Sequence, residues 1–208
     1  MKVVVVGASG RVGSKVVAAL LGQGHTVVAC VHSHNPFETH ARLHVVTLDV
    51  HDQVKVAEVI SGSQAVISTV SSWKSESGDV LTSAMQAVVP AMQQAGVRRI
   101  VSLTGNAAFT PRDHPTVFQK ANRAALAKIA PNVLADGEKH MAVLATSSLD
   151  WTVIRSPVMN KLGKETYQLR SNLSGTTATI HRQAVAQALV DQLTDATWLH
   201  KTPTIWRS

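Results

Sequence analysis

The chain has 208 residues, enough to bury one substantial core and too few for two ordinary domains, so a single domain spanning 1–208 is expected. Its 45% hydrophobic and 16% charged residues exclude a disordered or fibrous chain, and no apolar run approaches the roughly 18 residues that span a bilayer, so no membrane partner is expected. The net charge is +7 and the pI about 9.9, yet the basic residues are scattered and aromatics are only 4%, which argues against a base-stacking nucleic-acid surface and suits a phosphorylated small molecule equally well.

The opening MKVVVV has one lysine and a short apolar run that leads into glycines and helix, not into a longer apolar stretch with a cleavage site. No signal peptide is read there, and a cytoplasmic location is expected. Short, nearly continuous β-branched runs recur at Val3–Val6, Thr26–Val31, His44–Leu48, Ala65–Val70, Ile100–Leu103 and Trp151–Ile154, separated by segments of helix length. Such runs read as strands of a parallel sheet covered on both faces. Between the first two, Val12, Val16, Val17, Leu20 and Leu21 recur at helical spacing until Gly22 and Gly24. A second helix is predicted over Asp52–Ile60 and a third over Asp79–Gln94, where Pro90 implies a kink or an early break. This alternation predicts right-handed crossovers and a doubly wound α/β sheet. The least regular stretch, NAAFTPRDHPT from Asn106 to Thr116, reads as a loop beyond the carboxyl end of the fifth strand, at the usual mouth of such folds.

The single cysteine, Cys30, sits in the apolar run TVVACV without a partner for an intrachain disulfide or a thiolate metal site, and reads as a small buried hydrophobe. NLS at Asn172 matches a glycosylation acceptor, which without a secretory signal is a chance match.

The stretch VVVVGASGRVGSKVV, Val3 to Val17, places Gly7, Gly10 and Gly13 at a strand-to-helix turn. There Gly7 allows a tight turn, Gly10 lets backbone approach a pyrophosphate, and Gly13 lets the helix pack closely. The amides of the first helical turn and the helix dipole then face the anion. The spacing is G-x-x-G-x-x-G, with no Gly-Lys-Ser/Thr ending, so a P-loop NTPase is not expected. Where an acid after the second strand would bind the ribose hydroxyls of NAD, the chain has His32, Ser33 and His34, with Arg11 on the facing side of the glycine turn. Those groups suit a 2′-phosphate, so NADP(H) is favoured over NAD(H); the alternative is a surface turn whose histidines bind nothing. No metal site is expected from His32, His34, His40 and His44, because Glu38 is the only acid near them.

With these residues in view, nearly the whole chain resembles the atypical short-chain dehydrogenase/reductases grouped as NAD(P)H-binding proteins, which include biliverdin reductase B-like flavin reductases and NmrA-like redox sensors. GASGRVG resembles the family's phosphate loop, which implies cofactor contacts at Gly7, Ser9, Gly10, Arg11, Val12 and Gly13. VTLDV resembles its adenine edge, which implies Asp49 and Val50. AVISTVSS, Ala65 to Ser72, resembles the fourth strand and the loop under the ribose, which implies Thr69, Val70 and Ser71. VRRIVSLTG resembles the fifth strand that carries hydroxyls to the nicotinamide, here Thr104 and Gly105. ADGEKHMAVLATSSLDWTVIRSP resembles the following helix and sixth strand, which implies Ser156, Pro157 and Val158 at the nicotinamide pocket, with Arg155 as a structural ion-pair partner. TIHRQAVAQALVDQLTDATWLHKTPTI, Thr179 to Ile205, resembles the closing helix and strand. The resemblance implies an NAD(P)-binding Rossmann fold with a small substrate-side region formed by residues 106–118 and 156–180.

The chain departs from the family where chemistry is concerned. Its only tyrosine, Tyr167, follows the sixth strand and lacks a lysine four residues on, so the Tyr-x-x-x-Lys pair of carbonyl-reducing members is missing. The second hydroxyl of the fifth strand is replaced by Gly105. Thr104 remains the candidate catalytic residue, orienting nicotinamide or substrate, or else simply ending a strand. Lys139 and His140 fall on the helix where other members hold their lysine and could supply charge or a proton, although solvated side chains on an exposed face are the expected outcome. Hydride transfer to a flavin or quinone needs orientation more than a side-chain acid. The leading expectation is therefore an NADP(H)-dependent oxidoreductase with a small planar electron acceptor, working as a monomer or homodimer. The competing one is a non-catalytic NADP(H)-binding redox sensor, and a third, sugar-nucleotide epimerase or dehydratase chemistry, would require the missing tyrosine.

Overall fold

The structure, a computed structural model, describes residues 1–73, 77–171 and 179–208; the NLS motif at Asn172 lies outside them. The valine run forms β1 (Lys2–Val6), whose side chains alternate between two cores: Val3 and Val5 point to one, Val4 and Val6 to the other, none more than 2% exposed. A strand buried on both faces needs no polar alternation, which is why the run is continuous. There follow α1 (Gly13–Gly22), β2 (Thr26–Val31), β3 (Leu43–Thr47), α2 (Gln53–Ile60), β4 (Ala65–Ser68), α3 (Val80–Gln94) and β5 (Arg99–Gly105). After them come α4 (Val117–Ile129), α5 (Pro131–Ala145), β6 (Asp150–Ser156), β7 (Val158–Asn160), β8 (Tyr167–Arg170), β9 (Thr179–His181), α6 (Arg182–Asp191) and β10 (Thr204–Arg207).

Eight strands form one sheet in the order β3-β2-β1-β4-β5-β6-β10-β8, parallel throughout except that β8 runs antiparallel to β10. The short β7 and β9 pair separately. Residues of α1 and α6, such as Val16, Leu20 and Leu189, join the core on the Val3 and Val5 face. Residues of α2, α3 and α5, such as Ile60, Met92 and Leu144, join the core on the Val4 and Val6 face. Strand order reverses at β1, whose neighbours are β2 and β4, and a crevice opens at such a switch point beyond the carboxyl ends of the strands.

Several boundaries differ from the sequence reading. The fourth strand ends at Ser68, not Val70, because Thr69 turns its hydroxyl onto the carbonyls of Val6 and Gly7 at 3.2 and 3.0 Å. The third strand begins and ends one residue earlier than predicted, at Leu43 and Thr47. At their carboxyl ends β5 and β6 extend two residues past their apolar runs, since the ladder continues through Thr104 opposite Arg155 and Gly105 opposite Ser156. Pro90 does not end α3: its ring faces solvent while Val88, Val89, Ala91 and Met92 are buried around it, and that packing outweighs the lost hydrogen bond. The helix α4 has no buried residue and was not predicted; a capping box of Thr116 and Gln119 starts it, closing the Asn106–Thr116 loop.

The N-terminus of α3 is capped from another helix. Asp136 of α5, 2% exposed, accepts hydrogen bonds from the backbone N–H groups of Leu81 and Thr82, each at 2.8 Å, and from the hydroxyls of Thr82 and Ser72. One carboxylate thus joins α5, α3 and the chain leaving β4. Asp136→Ala strips the cap and leaves several buried donors unpaired, and is expected to lower stability by about 3 kcal/mol in urea denaturation; an unchanged midpoint would show that the helices dock without it.

Candidate functional site

Gly7, directly after β1, has φ +79°, and a Cβ there would lie 2.9 Å from the amide nitrogen of Val70. Gly13, the first residue of α1, is more tightly held: a Cβ would sit 2.2 Å from the Gly7 carbonyl oxygen and 2.8 Å from both the Ala8 carbonyl oxygen and Thr69 Oγ1. Gly13 therefore presses the helix onto its own entering turn and onto the loop after β4, as well as onto the sheet. Gly10 is different. It is exposed, it donates to the Gly7 carbonyl at 3.1 Å, and a Cβ would meet only that carbonyl, at 3.2 Å. Its outer side is open.

No side chain caps α1, whose N-cap position is held by Val12, and no acid stands in its first turn. By contrast α2, α4 and α6 are capped by Asp52, Thr116 and His181. The amides of Ser14 and Lys15 donate to the Gly10 and Val12 carbonyls, each at 3.0 Å, so the N-terminus of α1 offers the amides of Arg11, Val12 and Gly13 and the positive end of its dipole beside the open face of Gly10. In chemical terms that arrangement suits an anion. Ser9 and Arg11 flank it, half-buried and exposed respectively.

The remaining predicted cofactor residues cluster at strand ends along one edge. His32, Ser33 and His34 are exposed at the carboxyl end of β2, which is in parallel register with β1. Leu48 donates to the Val31 carbonyl at 2.8 Å, bringing the following Asp49 and Val50 beside them; Asp49 is exposed, and its carboxylate accepts from the His51 amide at 2.9 Å. Thr69 is committed to the carbonyls of Val6 and Gly7, so its part is to lock the turn. Val70 packs against the core, and Ser71 is exposed. On β5, Thr104 is 8% exposed and its hydroxyl makes no hydrogen bond among the described residues, while a Cβ on Gly137 of α5 would come within 2.6 Å of it. Gly105 is exposed, with nothing within 4 Å of a Cβ position, so backbone there can be approached closely. Ser156 and Pro157 are buried; the Ser156 carbonyl accepts from Asn106 at 2.9 Å, and Val158 is 70% exposed.

Three titratable groups set the limits of the site's chemistry. Tyr167 donates to Asp191 at 2.5 Å, far along the chain from the nucleotide edge, and burial and that carboxylate push its phenol well above the ordinary range. Lys139 is exposed, as expected, but His140 is not: it is fully buried, Nε2 lies 3.0 Å from Ser102 Oγ, and Nδ1 lies 3.1 Å from the Gly137 carbonyl. Burial lowers its pKa to about 4, so it is neutral near pH 7. The expectation of a solvated His140 is corrected; its partner Ser102 is 38 residues away in the chain, which local patterning does not register. Cys30 is buried and its thiol is pushed up to about 12 by desolvation.

Arg155 holds the loop over this edge. It is 1% exposed and bonds Asp113 at 2.6 Å and the Thr202 carbonyl at 2.9 Å. Asp113 also accepts from the amide and hydroxyl of Thr110 at 2.6 and 2.9 Å. Burial raises the Asp113 pKa, but the bonds from Arg155 and Thr110 outweigh it and hold the carboxyl below its usual value. Among the described residues no group of three His, Cys, Asp or Glu side chains gathers as a metal site, and no helix is long and apolar enough to cross a membrane.

A doubly wound sheet with a glycine turn, an open place suited to an anion at its switch point and hydroxyls along the same edge defines a dinucleotide-binding protein. The profile of the NAD(P)H-binding family matches residues 7–196, and the chain belongs to that family. Among solved structures it resembles an oxidoreductase of Lactococcus lactis, with a TM-score of 0.83 and 18% identity over 100% of this chain and 91% of that one. It also resembles a short-chain dehydrogenase/reductase of Veillonella parvula in complex with NADP, with a TM-score of 0.82 and 18% identity over 99% and 94%. A third likeness is to a candidate NADH-flavin reductase of Streptococcus pneumoniae, with a TM-score of 0.77 and 18% identity over the whole of both chains. A comparison with the curated proteins finds no match.

The two glycines separate binding from stability. Gly13→Ala forces backbone atoms apart and is expected to cost about 3 kcal/mol, whereas Gly10→Val should stay within about 1 kcal/mol of the parent and lose dinucleotide binding; melting curves and a titration check both. Acid should act through His140. Between about pH 6.5 and its folded pKa of about 4, the unfolded chain takes up a proton that the folded protein refuses, so stability falls with pH by about 3 kcal/mol over that window. Melting of His140→Gln across the same window should be flatter. Asp113, whose folded pKa is depressed, stabilises above the ordinary carboxylate range and adds its loss only below it.

Proposed function

We propose that the protein is an NADP(H)-dependent oxidoreductase of the atypical short-chain class, cytoplasmic, that passes hydride to a flavin, quinone or similar planar acceptor. The observation that carries this reading is the uncapped N-terminus of α1 beside the open face of Gly10, a cradle that a side chain at either place would fill. Its backbone donors would hold the pyrophosphate. Arg11, His32, Ser33 and His34, all exposed near the ends of β1 and β2, would hold a 2′-phosphate, and the carboxylate of Asp49 is engaged by the His51 amide. The Veillonella relative crystallised with NADP supports the same preference.

When bound, a reduced nicotinamide supplies the hydride. What the chain contributes is orientation and a dry wall: the unpaired Thr104 hydroxyl is available to one partner, Gly105 permits close approach, and Ser156 and Pro157 close the pocket behind them. Tyr167, the one phenol of the chain, is held by Asp191, and His140 is buried and neutral, so neither is free to protonate a carbonyl oxygen. A flavin or quinone takes its protons from water and needs none of these. The likeness to a candidate NADH-flavin reductase agrees with such an acceptor. The missing Tyr-x-x-x-Lys pair supports a second reading, an NADP(H)-binding redox sensor without turnover.

The deciding measurement is NADPH oxidation by the purified protein against a panel of flavins and quinones, with NADPH and NADH titrated in the same buffer. Turnover with tighter NADPH binding is expected; tight binding without turnover on any acceptor favours the sensor. Arg11→Ala should weaken NADPH by about tenfold and NADH by less than about twofold, and an equal loss for both would remove Arg11 from 2′-phosphate recognition.

A further inference from the structure

A cavity of about 480 Å³ lies between α5 and the Phe109–Asp113 segment; that segment and Ser171 belong to the stretches expected on the substrate side, but the rest of the lining, from α5, β6 and the chain before β10, does not, and none of the predicted cofactor residues lines it. We infer that it is a second small-molecule site, built for a planar aromatic carboxylate. Its volume falls in the range of small-ligand pockets. One wall is Glu138, Met141, Ala142 and Ala145, the i, i+3, i+4, i+7 stripe of α5 that a neighbouring helix would ordinarily cover. The alanines leave the space open.

Much of the remaining lining is aromatic. Trp151 and Trp198 line it, with Phe109 at the loop end, and flat rings of this kind hold a flat ligand by stacked or edge contacts. His200 stands edge-on to Trp151, with ring centroids 5.8 Å apart and planes at 90°. Its backbone is left-handed, φ 55°, the only such non-glycine residue among those described, and its amide donates to the Trp151 carbonyl at 2.8 Å. Strained backbone of this kind collects at ligand sites.

Charge decides the sign of the ligand. Both carboxylates at the cavity are already neutralised: Asp113 by Arg155 at 2.6 Å, and Glu138 by Arg123 at 2.6 Å. The cations are not. Arg112 is exposed and has no partner among the described residues, and the Lys201 ammonium rests over Trp198, 5.7 Å from the ring centroid, bonded only to the Thr197 carbonyl at 3.0 Å. A ring against the tryptophans with an anionic edge toward Arg112 and Lys201 meets both the aromatic lining and the free charge.

This inference does not depend on hydride transfer, and its test reads no activity. Isothermal titration with 2-naphthoate should show one site per chain, with the same affinity whether or not NADPH is present. Ala142 and Ala145 are exposed helix positions, so Ala142→Phe and Ala145→Phe should fold normally by circular dichroism and weaken naphthoate by about tenfold or more by filling the cavity. Arg112→Gln should weaken it by about fivefold, and the neutral 2-naphthalenemethanol should bind the parent correspondingly less well. Absence of binding, displacement by NADPH, or unchanged affinity in both phenylalanine variants would overturn the proposal.

Discussion

At position 13 a hydrogen stands where any other residue would carry a carbon 2.2 Å from the Gly7 carbonyl, and that absence lets the first turn of α1 close against β1. Thr69 clamps the same turn from the other side through two hydrogen bonds. The contact ties together β1, β4 and α1, the elements that meet at the switch point. It also aims the helix outward. Because the turn is closed on its inner side, the amides of Arg11, Val12 and Gly13 and the open side of Gly10 are what it leaves unoccupied, so a place suited to an anion follows from the packing and is not an addition to it.

Away from the turn, buried polar groups do the positioning that apolar packing cannot. Asp136 draws α3 and Ser72 onto α5; Arg155 draws the Asn106–Thr116 loop onto β6; His140 braces α5 against Ser102 of β5. Each pairing is nearly or wholly removed from water, where breaking one partner leaves the other uncompensated. They surround the strand ends that carry Thr104 and Ser156, so the spacing of the cofactor edge depends on hydrogen bonds between distant parts of the chain. Directional bonds of this kind hold an edge in place more strictly than apolar contact, which tolerates sliding.

The order of elements was legible because each β-branched run is buried on both faces and each amphipathic segment on one, and burial leaves its imprint on local composition. The glycine turn was legible for a different reason: a left-handed residue and a close approach both exclude side chains, so the requirement appears directly as residue type. Strand ends were less so. Thr104, Gly105, Arg155 and Ser156 are polar or small, and only pairing with a neighbour shows that they continue the ladder. The helix from Val117 to Ile129 escaped notice despite its Thr116–Gln119 capping box, because it buries nothing.

By itself, then, the sequence determined the sheet-and-helix alternation, the phosphate-type turn, the absence of a Tyr-x-x-x-Lys pair and membership in an NAD(P)H-binding fold, all of which are written in residues close together in the chain. Only the tertiary structure decided that His140 is buried, that Asp136 caps a helix 55 residues earlier, that Arg155 pairs with Asp113 and that a cavity stands open beside α5. Those facts concern partners that folding brings together from tens of residues apart, and local hydrophobic pattern carries no record of which distant side chain a polar group will meet.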